Sequence, residues 1–302
     1  MSTGNGANRP SKKDRRQEAR EKARLMREEA KRKAKRRRWI VQGSVAVGVL
    51  AVLAIIAVVI VTSVKPAGPG PKNMASGGIL LTSSTSAVSS PALGADATPK
   101  PTKQDDSDGK AHITLYIDYQ CPYCNQFETT NTPQISTWLD AGAATLEIHP
   151  VAILNSPKND KYATRAGNAM VCVANYEPSA YLAASTAMYK NQPDESGTGL
   201  PDSKIVSILK SAGATDPAIA KCVTSGRFSS WVDTQTSRAT AAKTLPNSSV
   251  KFQGTPTVIV NGKQYNGSYT DATAFSAFVK QVVPDFGSAS AGTATPTPTA
   301  TK

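Results

Sequence analysis

The chain alternates between stretches with a regular apolar period and stretches with none. Residues 40–64 carry no charge and consist mainly of Val, Ile, Leu and Ala. As a helix this span is roughly 37 Å long, enough to cross a hydrocarbon core with some tilt. It has no polar stripe of the kind that an amphipathic core helix of this length shows. The first strand pattern is Ile113-Thr114-Leu115-Tyr116-Ile117, rich in β-branched and aromatic residues. Pro122 cannot continue it but suits a first helical turn. A helix is predicted over 122–131, then a kink permitted by Pro133, a continuation over 134–141, and a stop at Gly142. Residues 144–149 form a second strand, and a long Ala-rich helical stretch spans 161–242. Thr257-Val258-Ile259-Val260 is a third strand, Asn261-Gly262 a hairpin signal, and 263–266 the returning strand. Asp271 is placed to N-cap a last helix through Val282, with Phe275, Phe278 and Val279 inward.

This order predicts an α/β fold. A strand–helix–strand unit with a parallel right-handed crossover comes first, then a helical insertion at 155–249, then a hairpin and a closing helix. Residues 65–110 are rich in Pro, Gly, Ser, Thr and Ala and read as a disordered linker. Residues 285–302 read as a low-complexity tail, with alternating Thr-Pro toward the end. The folded part is then 111–284, a usual size for one domain. No internal repeat is visible.

The net charge of +13 would fit a nucleic-acid binder, but its distribution does not. Residues 1–38 hold 16 Lys+Arg and 5 Asp+Glu, so most of the excess belongs to a tail. That tail ends directly before the apolar span, whereas only Lys65 follows it closely. The positive-inside rule then keeps residues 1–38 cytoplasmic and everything beyond Val64 extracytoplasmic. Residues 39–64, with Trp39 at the interface, read as an uncleaved transmembrane signal anchor. The tail itself either lies as a helix on anionic lipid or is a solvated arm that fixes topology.

Four cysteines sit at 121, 124, 172 and 222. The first two form Cys121-Pro122-Tyr123-Cys124 at a strand-to-helix junction. There the free amides and dipole of the helix favour a thiolate on Cys121. Cys124, three positions on, can resolve a mixed disulfide within the chain. A zinc or copper site would need further N/S ligands, and His112 and His149 are not at ligand spacing, so no metal is expected. A short staple restrains little chain entropy, which argues against a purely structural pair. Cys172 and Cys222 lie 50 positions apart in amphipathic runs and read as a structural disulfide. Two separate buried thiols and a second redox pair are the alternatives.

With Asp118-Tyr119-Gln120-Cys121-Pro122-Tyr123-Cys124 after a strand, and Gly254-Thr255-Pro256-Thr257-Val258-Ile259-Val260-Asn261-Gly262 later on, the chain resembles the DsbA-like branch of the thioredoxin superfamily. The 131 residues between Cys124 and Pro256 match that branch's helical insertion. The resemblance implies a thioredoxin fold over 111–284, Cys121 as attacking and Cys124 as resolving thiol, and a cis peptide before Pro256. Thr255 would offer its backbone to an extended substrate strand. An ordinary trans proline opening an edge strand is the alternative for Pro256.

Two departures bear on strength. The superfamily often has a buried acid six residues before the first cysteine, where this chain has Leu115. Proton handling for Cys124 then falls to water, Asp118 or Glu147, although Asp118 reads foremost as a helix-flanking cap. Pro122 and Tyr123 form the intervening dipeptide, without the His of strongly oxidising relatives, so a milder oxidant is expected. Cys-Pro-Tyr-Cys also occurs in small cytosolic glutaredoxins, against which the anchor and insertion argue, and in DsbG-type isomerases.

The resulting expectation is a membrane-anchored extracytoplasmic enzyme that makes disulfides in exported proteins. The resemblance implies reoxidation by a quinone-linked membrane partner resembling DsbB or vitamin K epoxide reductase. Beyond the Cys121–Cys124 disulfide no cofactor is expected. A DsbG-type isomerase or reductase and a non-catalytic thioredoxin-like binding module are the competing readings.

Overall fold

The computed structural model describes Met26 and residues 68–95 and 97–286. In chain order the elements are β1 (Ile79–Ser83), β2 (Ser86–Ala87), β3 (Ala111–Ile117), α1 (Pro122–Asp140) and β4 (Ala144–Pro150). Five helices follow: α2 (Tyr162–Tyr176), α3 (Tyr181–Lys190), α4 (Asp202–Ser211), α5 (Pro217–Thr224) and α6 (Ser229–Ala241). The chain then returns through β5 (Thr257–Val260), β6 (Lys263–Gln264) and α7 (Ala272–Val282).

One sheet runs through the molecule in the order β2-β1-β4-β3-β5-β6. β3 and β4 are parallel, in register from Ala111↔Ala144 to Ile117↔Pro150. The crossover between them is α1, as a parallel pair requires. α1 runs unbroken through Pro133. It ends on Gly142 at φ +67, with Gly142 N–H on the Leu139 carbonyl and Ala143 N–H on that of Trp138, a Schellman end. β5 lies antiparallel on β3, and β6 folds back on β5. Asp271 caps α7 by accepting from Thr273 N at 2.9 Å and Ala274 N at 3.0 Å. Phe275 and Val279 are buried, with Phe278 partly covered beside them.

The two faces of β3 go to different places, as period two dictates. Ile113, Leu115 and Ile117 enter the main core with Phe127, Ile135 and Leu139 of α1 and Phe275 of α7. Tyr116 joins a smaller cluster with Val151, Leu245, Val250, Phe252 and Ile259.

The reading of 65–110 as a disordered linker is corrected for its described residues. β1 pairs antiparallel with β4 over Ile79↔Ile148, Leu80↔Glu147 and Leu81↔Leu146, and Met74, Ile79 and Leu81 are buried. The physical reason is that β4 supplies a ready ladder, so a few alternating apolar residues suffice for a strand that pairs with it. Beyond β2 the chain crosses back over the sheet. Lys100 N–H binds the Ala75 carbonyl at 3.0 Å, and Thr102 Oγ1 donates to Glu147 Oε1 at 2.8 Å. The Ser76 hydroxyl donates to the same carboxylate oxygen. His149 at 3.5 Å completes this knot. Glu147 is held down to about 2 against the cost of its burial, by the charge and hydrogen bonding of His149 and by the hydroxyls of Ser76 and Thr102.

The helical stretch expected over 161–242 consists of the five helices α2–α6. Cys172 of α2 and Cys222 of α5 are joined in a disulfide, with Cα atoms 5.9 Å apart. α2 is the insertion's central helix, almost wholly buried from Tyr162 to Ala174. A Cβ on its Gly167 would stand 3.0 Å from the Val232 side chain of α6, so the two helices approach closely there. The tail assigned to 285–302 starts late, because Phe286 packs edge-on against Trp138 at 5.1 Å. The expected cytoplasmic tail and anchor lie outside the described residues, apart from Met26. Among the described residues no helix is long and apolar enough to cross a membrane.

Candidate active site

β3 ends at Ile117, and Asp118, Tyr119 and Gln120 make a buried turn into α1. Cys121 stands at the N-cap in extended geometry, with Pro122 at the first helical position. That placement aims the unpaired amides of the first turn at the Cys121 sulfur. Both thiols are free. Cys121 is drawn down to about 6, chiefly by a hydrogen bond from the Cys124 thiol, against desolvation, and further by Thr255 and the amides of Cys124 and Tyr123. Cys124 is fully buried, and its burial together with the neighbouring Cys121 pushes its thiol well up. One sulfur is therefore a thiolate at neutral pH and the other a protonated thiol, the asymmetry that nucleophile and resolving group require.

The loop at 254–256 faces this pair. The Thr255–Pro256 peptide is cis. Cys121 Sγ lies 3.2 Å from the Thr255 carbonyl oxygen, which accepts from it when the thiol is protonated. Thr257 Oγ1 donates to the Gly254 carbonyl at 2.7 Å, and Tyr269 OH reaches the Pro256 carbonyl at 3.4 Å. Tyr123 is 60% exposed beside the pair and meets Tyr269 edge-on at 6.5 Å.

A family model described as Thioredoxin matches residues 100–281. Among solved structures, reduced DsbA from Mycobacterium tuberculosis is 30% identical at a TM-score of 0.52, the match covering 71% of this chain and 98% of that one. The chain belongs to the DsbA-like thioredoxin family. The reduced disulfide oxidoreductase DsbG from the same organism matches at 30% identity and TM-score 0.52, covering 76% of this chain and 97% of that one. Oxidised DsbA from M. tuberculosis matches at 30% identity and TM-score 0.53, with 72% and 100% covered. No curated protein sequence matches. The DsbA-like chain is accordingly a thiol–disulfide oxidoreductase on a mixed α/β thioredoxin-like scaffold.

Its acidic groups differ from the sequence reading in one respect. Asp118 does not cap α1; Cys121 occupies that position. Asp118 Oδ1 accepts from Gln120 N at 2.8 Å and Oδ2 from Leu154 N at 3.0 Å, which locks the turn to the chain leaving β4. Burial lifts its carboxyl to about 7 against those two amides, and the Cys121 charge adds to the rise. Of the two acids expected to serve Cys124, Asp118 is therefore at the pair. Glu147 has its partners on β4 and the crossing segment instead. Leu115 lies in the core, so the site has no acid at that position.

Two contributors, Gln192 and Tyr189, and one further buried acid on α1, Glu128, escaped the sequence reading. Glu128 lies four positions after Cys124, a spacing that puts both on one face of α1. It is 3% exposed, and burial raises it to about 7. Gln192, after α3, donates from Nε2 to the Tyr119 and Cys121 carbonyls, each at 3.0 Å. Tyr189 of α3 stacks on Tyr119 at 5.0 Å and donates to the Asp118 carbonyl at 3.3 Å. The spacing from Cys124 was a usable signal for Glu128; Gln192 and Tyr189 carried none.

Proposed function

We propose that Cys121 and Cys124 are the redox pair and that the enzyme oxidises exported proteins outside the cytoplasmic membrane. The observation that carries this is the split between a depressed Cys121 and a raised Cys124 beside a cis-proline loop. In the cycle a substrate thiolate attacks Cys121 of the oxidised pair. The Cys121–Cys124 bond breaks, and Cys124 leaves with the bonding electrons and takes a proton. A second substrate thiolate attacks the substrate sulfur of the mixed disulfide. The substrate departs oxidised, and Cys121 is released as a thiolate. The backbone of the half-buried Thr255, beside the buried Pro256, would hold the substrate as an added strand.

The extracytoplasmic setting is supported by the anchor pattern at 39–64 and by the Cys172–Cys222 bridge, which suits an oxidising compartment. A quinone-linked membrane protein resembling DsbB or vitamin K epoxide reductase would take the two electrons from the reduced pair. A second reading, a DsbG-type isomerase or reductase, is favoured by the equal 30% identity to the DsbG structure.

The test is equilibration in glutathione buffers, with trapping of the mixed disulfide in Cys124→Ser and refolding of reduced and scrambled ribonuclease. A potential near that of the export compartment, a trapped adduct and activity on reduced ribonuclease are expected. A very low potential with no adduct leaves a non-catalytic binding module. Activity only on scrambled ribonuclease assigns the isomerase.

A further inference from the structure

Away from the cis-proline loop, a cavity of about 410 Å³ opens between α1, α3 and the β1–β2 turn. Its mouth is rich in hydroxyls, among them Ser84, Thr129 and Thr186, and its walls include Pro133 and Leu182. Glu128 forms part of the lining although the side chain is 97% buried, being 3% exposed. Its Oε2 accepts from Thr132 Oγ1 at 2.7 Å, and its Oε1 has neither a partner nor open surface, so a ligand reaches it when the carboxyl turns toward the cavity. A buried carboxylate that is neither paired nor fully hydrogen-bonded is costly. Lys190 is the single cationic side chain in the lining and makes no ion pair with Glu128. The groups that face Glu128 electrostatically are the phenols of Tyr119, Tyr181 and Tyr189, all protonated through neutral pH because burial raises them. The β1–β2 turn contributes only Ser84 and Thr85.

We propose that this cavity binds a monocation on an apolar stem, an ammonium or guanidinium whose charge meets the Glu128 carboxylate while its stem lies on Pro133 and Leu182. The volume lies within the ordinary range for small-molecule sites, and few convergent polar groups in an apolar wall are their usual composition. The ligand supplies the counter-ion that the fold leaves out, and the hydroxyls at the mouth can take its remaining N–H donors. Lys190 at the mouth selects against a second positive charge. A free amine and the side chain of a Lys in a protein segment offer the same chemistry.

The cation prefers the ionised carboxyl, so affinity rises with pH as Glu128 titrates near 7. Between pH 6 and 8 the ionised fraction of such a group grows about tenfold, and the association constant follows it. The experiment is calorimetric titration of the full chain with benzylammonium, with neutral benzyl alcohol, and with an end-blocked Ala-Lys-Ala peptide, at pH 6, 7 and 8. Benzylammonium or the peptide should bind at least tenfold tighter than benzyl alcohol at pH 8, with the tenfold pH dependence. Preference for the peptide identifies a protein segment as the source, and preference for benzylammonium a free amine. Glu128→Gln should lose both the affinity and the pH dependence. Ala183→Trp, at an exposed position of the lining, should block binding without touching Glu128. The proposal is overturned if neither cation binds, if benzyl alcohol binds as well, or if Ala183→Trp or a folded Glu128→Gln binds undiminished.

Discussion

Truncating Cys124 to alanine in the reduced enzyme should raise the titration midpoint of Cys121. In the intact site Cys121 titrates at about 6, and the hydrogen bond from Cys124 is the largest cause of that depression. A hydrogen bond to a charged group contributes about 1.5–3 kcal/mol, so its loss should lift the midpoint by about 1–2 pH units. The amides of Tyr123 and Cys124 and the Thr255 side chain stay in Cys124→Ala and should keep Cys121 below an ordinary thiol.

The choice of assay follows from the magnitudes. At pH 7 a thiol titrating near 6 is about 90% ionised, against about 3% for an unperturbed one, roughly a thirtyfold gain. Intrinsic nucleophilicity falls with pKa by about half a logarithm per unit, which takes back roughly tenfold. A single alkylation rate at pH 7 therefore discriminates poorly. The full pH profile of thiolate absorbance near 240 nm is the decisive measurement, with iodoacetamide trapping at each pH as a check. Cys172 and Cys222 are bridged and contribute no thiolate, and Cys124 ionises far above the window. A wild-type midpoint near that of a free thiol, or one that Cys124→Ala leaves unmoved, would refute the reasoning.

The remaining predictions concern stability. Cys172→Ala/Cys222→Ala opens a bridge spanning 50 positions, and the loop-entropy model puts the loss at about 4 kcal/mol; an unchanged urea midpoint would contradict a supporting role. Ile79→Ala should cost about 2–5 kcal/mol in chemical denaturation because Ile79 of β1 is fully buried, whereas the same change in a linker costs nothing. Asp118 and Glu128 both titrate near 7 in the fold, above their ordinary unfolded values near 4. Their stabilising effect is therefore complete below pH 4 and is lost as pH rises toward 7, on the order of 4 kcal/mol for each group. Asp118→Asn with Glu128→Gln should flatten that limb of the pH–stability curve, and a limb of unchanged slope would show that neither acid is the source. Glu147 behaves oppositely: held near 2, it adds stability above pH 4.5 that is lost as pH falls toward 2, and Glu147→Gln should remove that acid limb.

The features legible in the sequence were those with local causes. Pro122 after a β-branched strand, Gly142 at the end of α1 and Asp271 before an apolar period each mark an element boundary through the chemistry of one residue. The boundaries within 161–242 had signals of the same kind, since Pro178, Pro201 and Pro217 stand at or before helical first turns, but the continuous Ala-rich pattern masked them. β1 was hidden for another reason. Its apolar residues are too few to specify a strand alone, and it forms because β4 offers an edge. Asp118 was misread because the partner that defines it, the Leu154 amide, is 36 positions away. Gln192 was missed because nothing near it in the chain indicates that the Cys121 carbonyl lies above it.

Those long-range contacts explain why a DsbA-like scaffold carries so large an insertion beside its thiols. An N-terminal turn stabilises a thiolate only if its amides stay aimed at one sulfur, and a helix end frays unless something outside the helix holds it. Here the insertion does so. Gln192 holds the carbonyls on either side of Gln120, Tyr189 holds that of Asp118, and Asn125 Nδ2 in the first turn of α1 donates to the Tyr189 carbonyl at 3.0 Å. α3, which presents Tyr189, rests on α2, and the Cys172–Cys222 bridge fastens α2 to α5. Support for the Cys121 thiolate thus runs from the Cys172–Cys222 disulfide through two helices to the N-cap. With no His between the cysteines and Leu115 where an acid often stands, the amides so held and the Cys124 thiol are what remains to stabilise Cys121. That accounts for a thiol drawn down to about 6 rather than to the far lower value, about 3.5, of a His-containing DsbA pair.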